Sequence, residues 1–464
     1  MGAFDRKNIG TPIGDFIDDY VNNDGTRLHM PGHKGSFGNE RDITEICGAD
    51  SLYFADGIIK KSEETASGLF GSRATFFGTE GSSQIIKAMC FLALAHYRKK
   101  GGTAEHPVII AGRNAHRAFI SASMLLGFKI GWIGHEGKGY SLCECKVTAD
   151  DITEHLRKYS ETGEISNVAG VYVTSPDYLG NMADIEGLAE AVHEAGLLLL
   201  CDNAHGSYLR FMEKDLHPLS LGADMVSDSA HKTLPVLTGG AYMHISKNAP
   251  ELLEKEAKRS MLLFGSTSPS YLTLESLDRA NALLSPAFFA DTVNEVKNIK
   301  SSLVRMGYDL YGDEPLKIVI DMRKSGVSGN QFHERLREKN IECEYADPDF
   351  LVTMWSPCNS FPGDKERFLA VCEECVADYS VKNEHPSELT FRFPKVIKQP
   401  YELVFCAHRP MRRDDLDSGK VCVVSDALIA CPPAISPIVC GEMPDENTLK
   451  ILDYYGLPMP EIVE

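Results

Sequence analysis

The chain of 464 residues is 43% hydrophobic and 24% charged, long enough for two or three domains whose cores need no disulfide staples. Its formal net charge of −19 argues against nucleic acid as a partner, because binding a polyanion needs a basic face. No run approaches the ~18 apolar residues of a membrane span, the opening MGAFDRKNIG carries no apolar leader, and the scattered cysteines suit a reducing cytoplasm.

Residues 1–60 read as an irregular arm and loop, with RLHMPGHKGSFG rich in Gly and Pro. From 61 to 285, short apolar strands alternate with helices. TFFGTEGSSQIIKAMCFLALAHY is a Gly-Ser-Ser turn opening a long apolar helix. HPVIIAG and ISNVAGVYVTSP are strands, and IEGLAEAVHEAG is an amphipathic helix stopped by Gly196. LLLLCDNAHG, DMVSDSAH and GGAYMHIS are three more strands. The alternation predicts an α/β fold with a large, mostly parallel sheet covered on both faces.

Residues 286–380 form a smaller α/β segment, with strands LKIVIDM and FLVTMWS around the helix SGNQFHERLREKN. Residues 381–464 follow, with GKVCVVSD and the Pro-rich CPPAISPIVCGE. In DKERFLAVCEECVADY, Phe368, Leu369, Cys372, Cys375 and Val376 recur at helical spacing. That Cys-x-x-Cys reads as a buried helix face, and no metal site is expected.

Ligand sites of parallel sheets gather where strands end at their C-terminal edge. Three such ends carry reactive groups: Asp202 with His205, Ser229 with His231 and Lys232, and the run Ser175 to Gly180. A lysine where an apolar run ends is costly to keep charged and is expected to persist neutral or covalently capped. The Gly-Ser-Ser turn, with Ser82 and Ser83, offers free backbone N–H groups to a phosphate. Together these groups ask for a ligand with a phosphate, a protonatable ring nitrogen and an aldehyde. Pyridoxal 5'-phosphate has all three. A lysine amine forms a Schiff base with its aldehyde, and a buried carboxylate keeps its pyridine nitrogen protonated, so that the ring accepts electrons from the substrate's Cα.

The stretches LHMPGHKG, FFGTEGSSQ, RNAHRAF, TSPDYLG, CDNAHGSY, SDSAHKTLPVLTGG, STSPSYLTLESLD and PPAISPIVCGE carry a family resemblance from residue 28 to 442. The chain resembles the Orn/Lys/Arg decarboxylases of the aspartate-aminotransferase fold (PLP fold-type I), in the shorter bacterial form. The resemblance implies that Lys232 carries the Schiff base and Asp202 pairs with the pyridine nitrogen. His205 would lie near the ring hydroxyl and His116 would stack on the ring face. Ser82, Ser83, Ser229 and His231 would cradle the phosphate. The implied activity is decarboxylation of arginine, lysine or ornithine to the corresponding amine, in polyamine-type metabolism, by a homodimer or higher homo-oligomer.

The substrate's distal cation asks for acidic partners. Glu442 and Asp177 are the candidates, with Asp50 and Asp56 beside them. CPPAIS departs from the family's more usual Tyr-Pro-Pro-Gly-Ile-Pro, which bears on substrate identity. The alternative is another reaction of a basic amino acid on the same cofactor: transamination, elimination or cyclisation.

Overall fold

A computed structural model turns the alternation into a seven-stranded sheet. It describes residues 9–464 except 24, 135, 139–141, 143–144, 361, 382–388, 418–420 and 426–434. The first strands in chain order are β1 (Ala74–Gly78), β2 (Val108–Gly112), β3 (Lys129–Ile133) and the two-residue β4 (Gly137–Lys138). Then come β5 (Val168–Thr174), β6 (Leu199–Asp202), β7 (Met225–Asp228) and β8 (Ala241–Ile245). All but β4 form the large sheet, in the order β1-β8-β7-β6-β5-β2-β3.

Pairs β2–β3, β5–β6 and β6–β7 run parallel. β2, β6, β7 and β8 are buried along their whole length, as strands covered on both faces must be. β8 runs antiparallel to both its neighbours, β7 and β1. The link from Asp228 to Ala241 makes this reversal. Its one helical turn, Ala230–Thr233, leads into the turn at Leu237–Gly240, where Gly240 N donates to Leu237 O at 3.0 Å, and the chain re-enters the sheet in the opposite direction.

The helices are α1 (Pro12–Asn22), α2 (Ile58–Phe70), α3 (Gly81–Lys99), α4 (Arg117–Leu126), α5 (Ala149–Glu161) and α6 (Ile185–Glu194). The single turn α7 (Ala230–Thr233) precedes α8 (Glu251–Leu262), α9 (Tyr271–Leu283), α10 (Pro286–Met306), α11 (Gly329–Glu338) and α12 (Gly363–Tyr379).

Two compact units are drawn from interleaved stretches of chain, where the sequence reading has four consecutive segments. One comprises Met1–Pro107, Leu156–Ser175 and Ile185–Phe288; the other comprises Val108–His155, Pro176–Asp184 and Phe289–Glu464. In the first, α3 packs along β5, β7 and β8 and against α8. The arm expected to be irregular contains α1, which begins with Pro12 at its first position. Asp278 of α9 accepts the backbone N–H groups of Ile13 and Gly14, both at 2.9 Å, and so docks that helix start.

The second unit holds a four-stranded sheet built around Lys317–Asp321 and Phe350–Met354, which pair antiparallel. These are the strands expected in LKIVIDM and FLVTMWS. α11 starts where SGNQ suggests: Ser328 and Gln331 form a reciprocal capping box. Cys372 and Cys375 lie buried on α12 beside Phe368. Further along, Met411, Val424, Ile438, Leu449, Leu452 and Ile462 build a separate apolar cluster. No helix among the described residues is long and apolar enough to cross a membrane.

Candidate active site

Asp202 closes β6 and is buried, because β6 has buried neighbours on either side. Its partner in register on β5 is Thr174. Two residues earlier on β5, the buried Tyr172 donates its hydroxyl to Asp202 Oδ2 at 2.9 Å. Ala204 N donates to the other oxygen at 3.2 Å. Burial pushes the Asp202 carboxyl above its usual range, while the Tyr172 hydrogen bond and the Lys232 charge pull the other way. Tyr172 is a site residue that the sequence reading missed; VYVTSP carries it as one more aromatic in an apolar run.

Lys232 sits on α7, immediately beyond β7. The reading of a lysine near the core needs correction here. Burial runs through Ala230, but Lys232 itself is exposed, since the single turn of helix rotates it out of the core. Its Nζ lies 3.1 Å from Nε2 of the buried His205. His205 is carried there by the tight turn after Asp202, in which Gly206 N donates to Asn203 O at 2.8 Å.

A second group of residues surrounds the start of α3. Gly81 has φ +69, and a Cβ added to it would lie 3.8 Å from Cε1 of His231. Gly81 N is used by Gly239 O at 2.7 Å. Glu80, the N-cap residue, makes no side-chain cap, so the next amides of the first turn have no such acceptor. His231 donates Nδ1–H to Gly240 O at 3.0 Å, which leaves Nε2 directed elsewhere. Burial lowers the His231 pKa, while its bond to Gly240 pulls the other way. The Ser229 hydroxyl is buried without a hydrogen-bond partner in the protein. An orphaned hydroxyl is costly unless a ligand satisfies it. A glycine-opened helix start, a histidine beside it and that orphaned hydroxyl fit a phosphate. The buried Ser82 and half-buried Ser83 open the same helix.

Of the remaining candidates, His116, Asp177 and Glu442 belong to the other unit and Asp50 to the first, and each of these four is engaged within its own unit. His116 is the N-cap of α4, its Nδ1 accepting from Ala118 N at 3.1 Å. Asp177 accepts Asn181 N and Nδ2, both at 2.8 Å. Glu442, expected to face a substrate cation, instead holds Arg113. The guanidinium donates to its two oxygens at 2.6 and 2.7 Å, both side chains are buried, and Val439 N adds a third bond at 2.8 Å. Arg113 also lies over the rings of Trp132 and Phe393. Asp50 accepts Gly57 N and Ile59 N at 2.8 and 3.0 Å and so caps α2. Residues 431–434 of the CPPAIS stretch lie outside the described residues.

Breaking the buried Arg113–Glu442 pair from one side leaves an uncompensated charge. Glu442→Ala is expected to cost about 3–5 kcal/mol in urea unfolding. Arg113→Met combined with Glu442→Leu should recover most of that loss, since neither charge then remains. A loss below about 1 kcal/mol for the single change would show that the pair is solvated.

The family model described as "Orn/Lys/Arg decarboxylase, major domain" matches residues 11–308. The chain belongs to the Orn/Lys/Arg decarboxylase family. Membership makes it an amino-acid decarboxylase of the basic-substrate class. Among its relatives is an arginine decarboxylase of Bacillus subtilis, 24% identical over 97% of this chain and 95% of the relative. An uncharacterized B. subtilis protein, YaaO, is 28% identical over 96% and 94%. The lysine decarboxylase structure from Francisella novicida superposes with a TM-score of 0.77 at 16% identity, over 98% of this chain and 82% of that one. At that identity the superposition speaks to the fold, which is the fold-type I architecture of this Orn/Lys/Arg decarboxylase family member.

Proposed function

We propose that the chain is a pyridoxal-phosphate-dependent decarboxylase with Lys232 as the cofactor's anchor and arginine as its preferred substrate. The observation that carries the reading is the strand edge where Lys232 Nζ meets His205 Nε2 at 3.1 Å, three residues beyond the buried Asp202. Bound at that edge, the cofactor would supply an electron sink for the bond between the substrate's Cα and its carboxylate. Asp202, braced by Tyr172 and Ala204, would hold the pyridinium proton. Ser229, His231, Ser82 and Ser83 would hold the phosphate at the start of α3. His205 would take a proton from Lys232 Nζ and return it, which gives the lysine a neutral amine for attack. The ring-stacking role of His116 stays in the proposal on the strength of the resemblance. Glu442 and Asp177 are left out of the substrate-binding set, because Arg113 and Asn181 already engage their carboxylates.

Arginine is preferred because relatives aligned along nearly the whole chain, from B. subtilis and Bacillus anthracis, bear the name arginine decarboxylase. The proposal includes a cytoplasmic homodimer feeding polyamine-type metabolism, as the resemblance implies. The test is to incubate the protein and pyridoxal phosphate with arginine, lysine and ornithine in turn and identify the products. Carbon dioxide and an amine, fastest from arginine, are expected. A keto acid, or faster turnover of lysine or ornithine, would overturn the corresponding part.

A further inference from the structure

One buried polar cluster lies behind the strand ends that carry Asp202 and Ser229 and takes no part in the chemistry above. Asp228 is the last residue of β7, next to Ser229, and is fully buried. Its Oδ2 faces His217 Nε2 at 3.0 Å and His244 Nε2 at 3.2 Å. Its Oδ1 accepts from Asn203 Nδ2 at 2.7 Å. The three partners are fully buried as well.

The outer nitrogens of both rings show which way the hydrogen bonds run. Leu219 N donates to His217 Nδ1 at 3.3 Å, which places that ring's proton on Nε2, toward Asp228. His244 Nδ1 meets the Thr75 hydroxyl at 2.8 Å, and Thr75 in turn meets the Ser72 hydroxyl at 2.8 Å. These hydroxyls can donate inward, so His244 can also present Nε2–H. The ligand atoms of His217, Asp228 and His244 lie within 4.8 Å of one another. A ring with its proton on the nitrogen facing the carboxylate is nonetheless the donor tautomer, not the metal-ligating one. Burial would raise the Asp228 pKa, but the two histidines outweigh it and hold the carboxyl below the usual range.

The bond to Asn203 is the one with consequences for the site. Asn203 follows Asp202 directly, and its N–H donates to Ser227 O at 2.9 Å. Its side chain lies over Gly206, where an added Cβ would come within 2.0 Å of Asn203 Oδ1. The turn from 202 to 206 is thus folded around a side-chain amide, and Asp228 sets which way that amide faces. An amide turned over would present its N–H₂ to Gly206 and its oxygen to Asp228, a pairing of like with like.

We propose that Asp228 is a positioning residue for decarboxylation, which acts through Asn203 to fix the turn that aims Asp202 and His205 at the cofactor. This rests on the roles assigned above to Asp202 and His205.

The test uses the full chain and four variants: Asp228→Asn, Asn203→Ala, the double change, and Asp278→Ala as a control that undocks α1. Three quantities are read: the dissociation constant for pyridoxal phosphate, the circular dichroism that the protein induces in the cofactor's visible band, and the urea midpoint. Each single change at the cluster is expected to weaken cofactor binding at least tenfold, about 1.4 kcal/mol, and to alter the induced dichroism. The double change should add no more than about twofold to the worse single, because both break one hydrogen bond. Asp278→Ala should lower the urea midpoint and leave affinity and dichroism as in the parent.

Variants that lose stability yet keep the parent's affinity and dichroism would overturn the proposal. So would a double variant whose affinity loss equals the product of the two single losses. Where Asp228→Asn does not fold, Asn203→Ala decides by the same affinity and dichroism. A parent protein that binds no cofactor would instead sink the reading of the site itself.

Discussion

Lys232→Ala is expected to lose turnover by on the order of 10⁴-fold or more, the scale seen when a covalent nucleophile is removed. It should also lose the visible absorbance of lysine-linked cofactor. The reason lies in the position of the side chain. Lys232 leaves the core on a single turn of helix and meets His205 Nε2 at 3.1 Å. An alanine there ends short of any ligand and removes the amine that lies 3.1 Å from His205 Nε2. The fold should be spared, because Lys232 is exposed and exposed positions rarely carry much stability. The expected pattern is therefore a parent-like urea midpoint with no activity and no visible band. A variant that keeps its band and turns over within tenfold of the parent would contradict the assignment.

Asp202→Asn is expected to reduce kcat by about 10²–10⁴-fold, the range typical of a group that governs a proton in the transition state. The carboxylate is oriented by Tyr172 on one oxygen and Ala204 on the other. Asparagine keeps the volume, but its amide has no charge with which to hold a pyridinium proton. Cofactor affinity should fall less than kcat, since Gly81, Ser229 and His231, proposed to hold the phosphate, are separate from this residue. A kcat within threefold of the parent would show that Asp202 does not serve the ring nitrogen.

Much of this architecture is legible in the amino-acid sequence. Strands β2, β5, β6 and β7 are short apolar runs bounded by Gly, Pro and Asp, and it is their length and flanking residues that mark them as strands. α11 announces itself through the Ser328–Gln331 box. The direction of β8 was not legible, because periodicity does not distinguish a parallel strand from an antiparallel one. Nor does the twelve-residue link, whose length fits either direction. Helix α1 was missed because the loop-like composition after it drew the whole arm into one reading, although Pro12 marks its start.

Within the candidate site, residues adjacent in sequence were the ones legible. Asp202 with His205, and Ser229 with Lys232, share short motifs. Tyr172 reaches Asp202 across neighbouring strands, and Asn203 reaches Asp228 in the same way. Arg113 and Glu442 are 329 positions apart. Pairings of that kind depend on strand order and register, which no local pattern encodes. The reading of Lys232 as a near-core lysine failed for a related reason. An apolar run says where burial starts, whereas a single helical turn decides where it stops.

The most direct measurement is to load the protein with pyridoxal phosphate, reduce it with borohydride, digest it and locate the modified lysine by mass spectrometry. The account predicts a stable pyridoxyl adduct on the peptide that contains Lys232, near one per chain. An adduct on another lysine, or none on any, would contradict it.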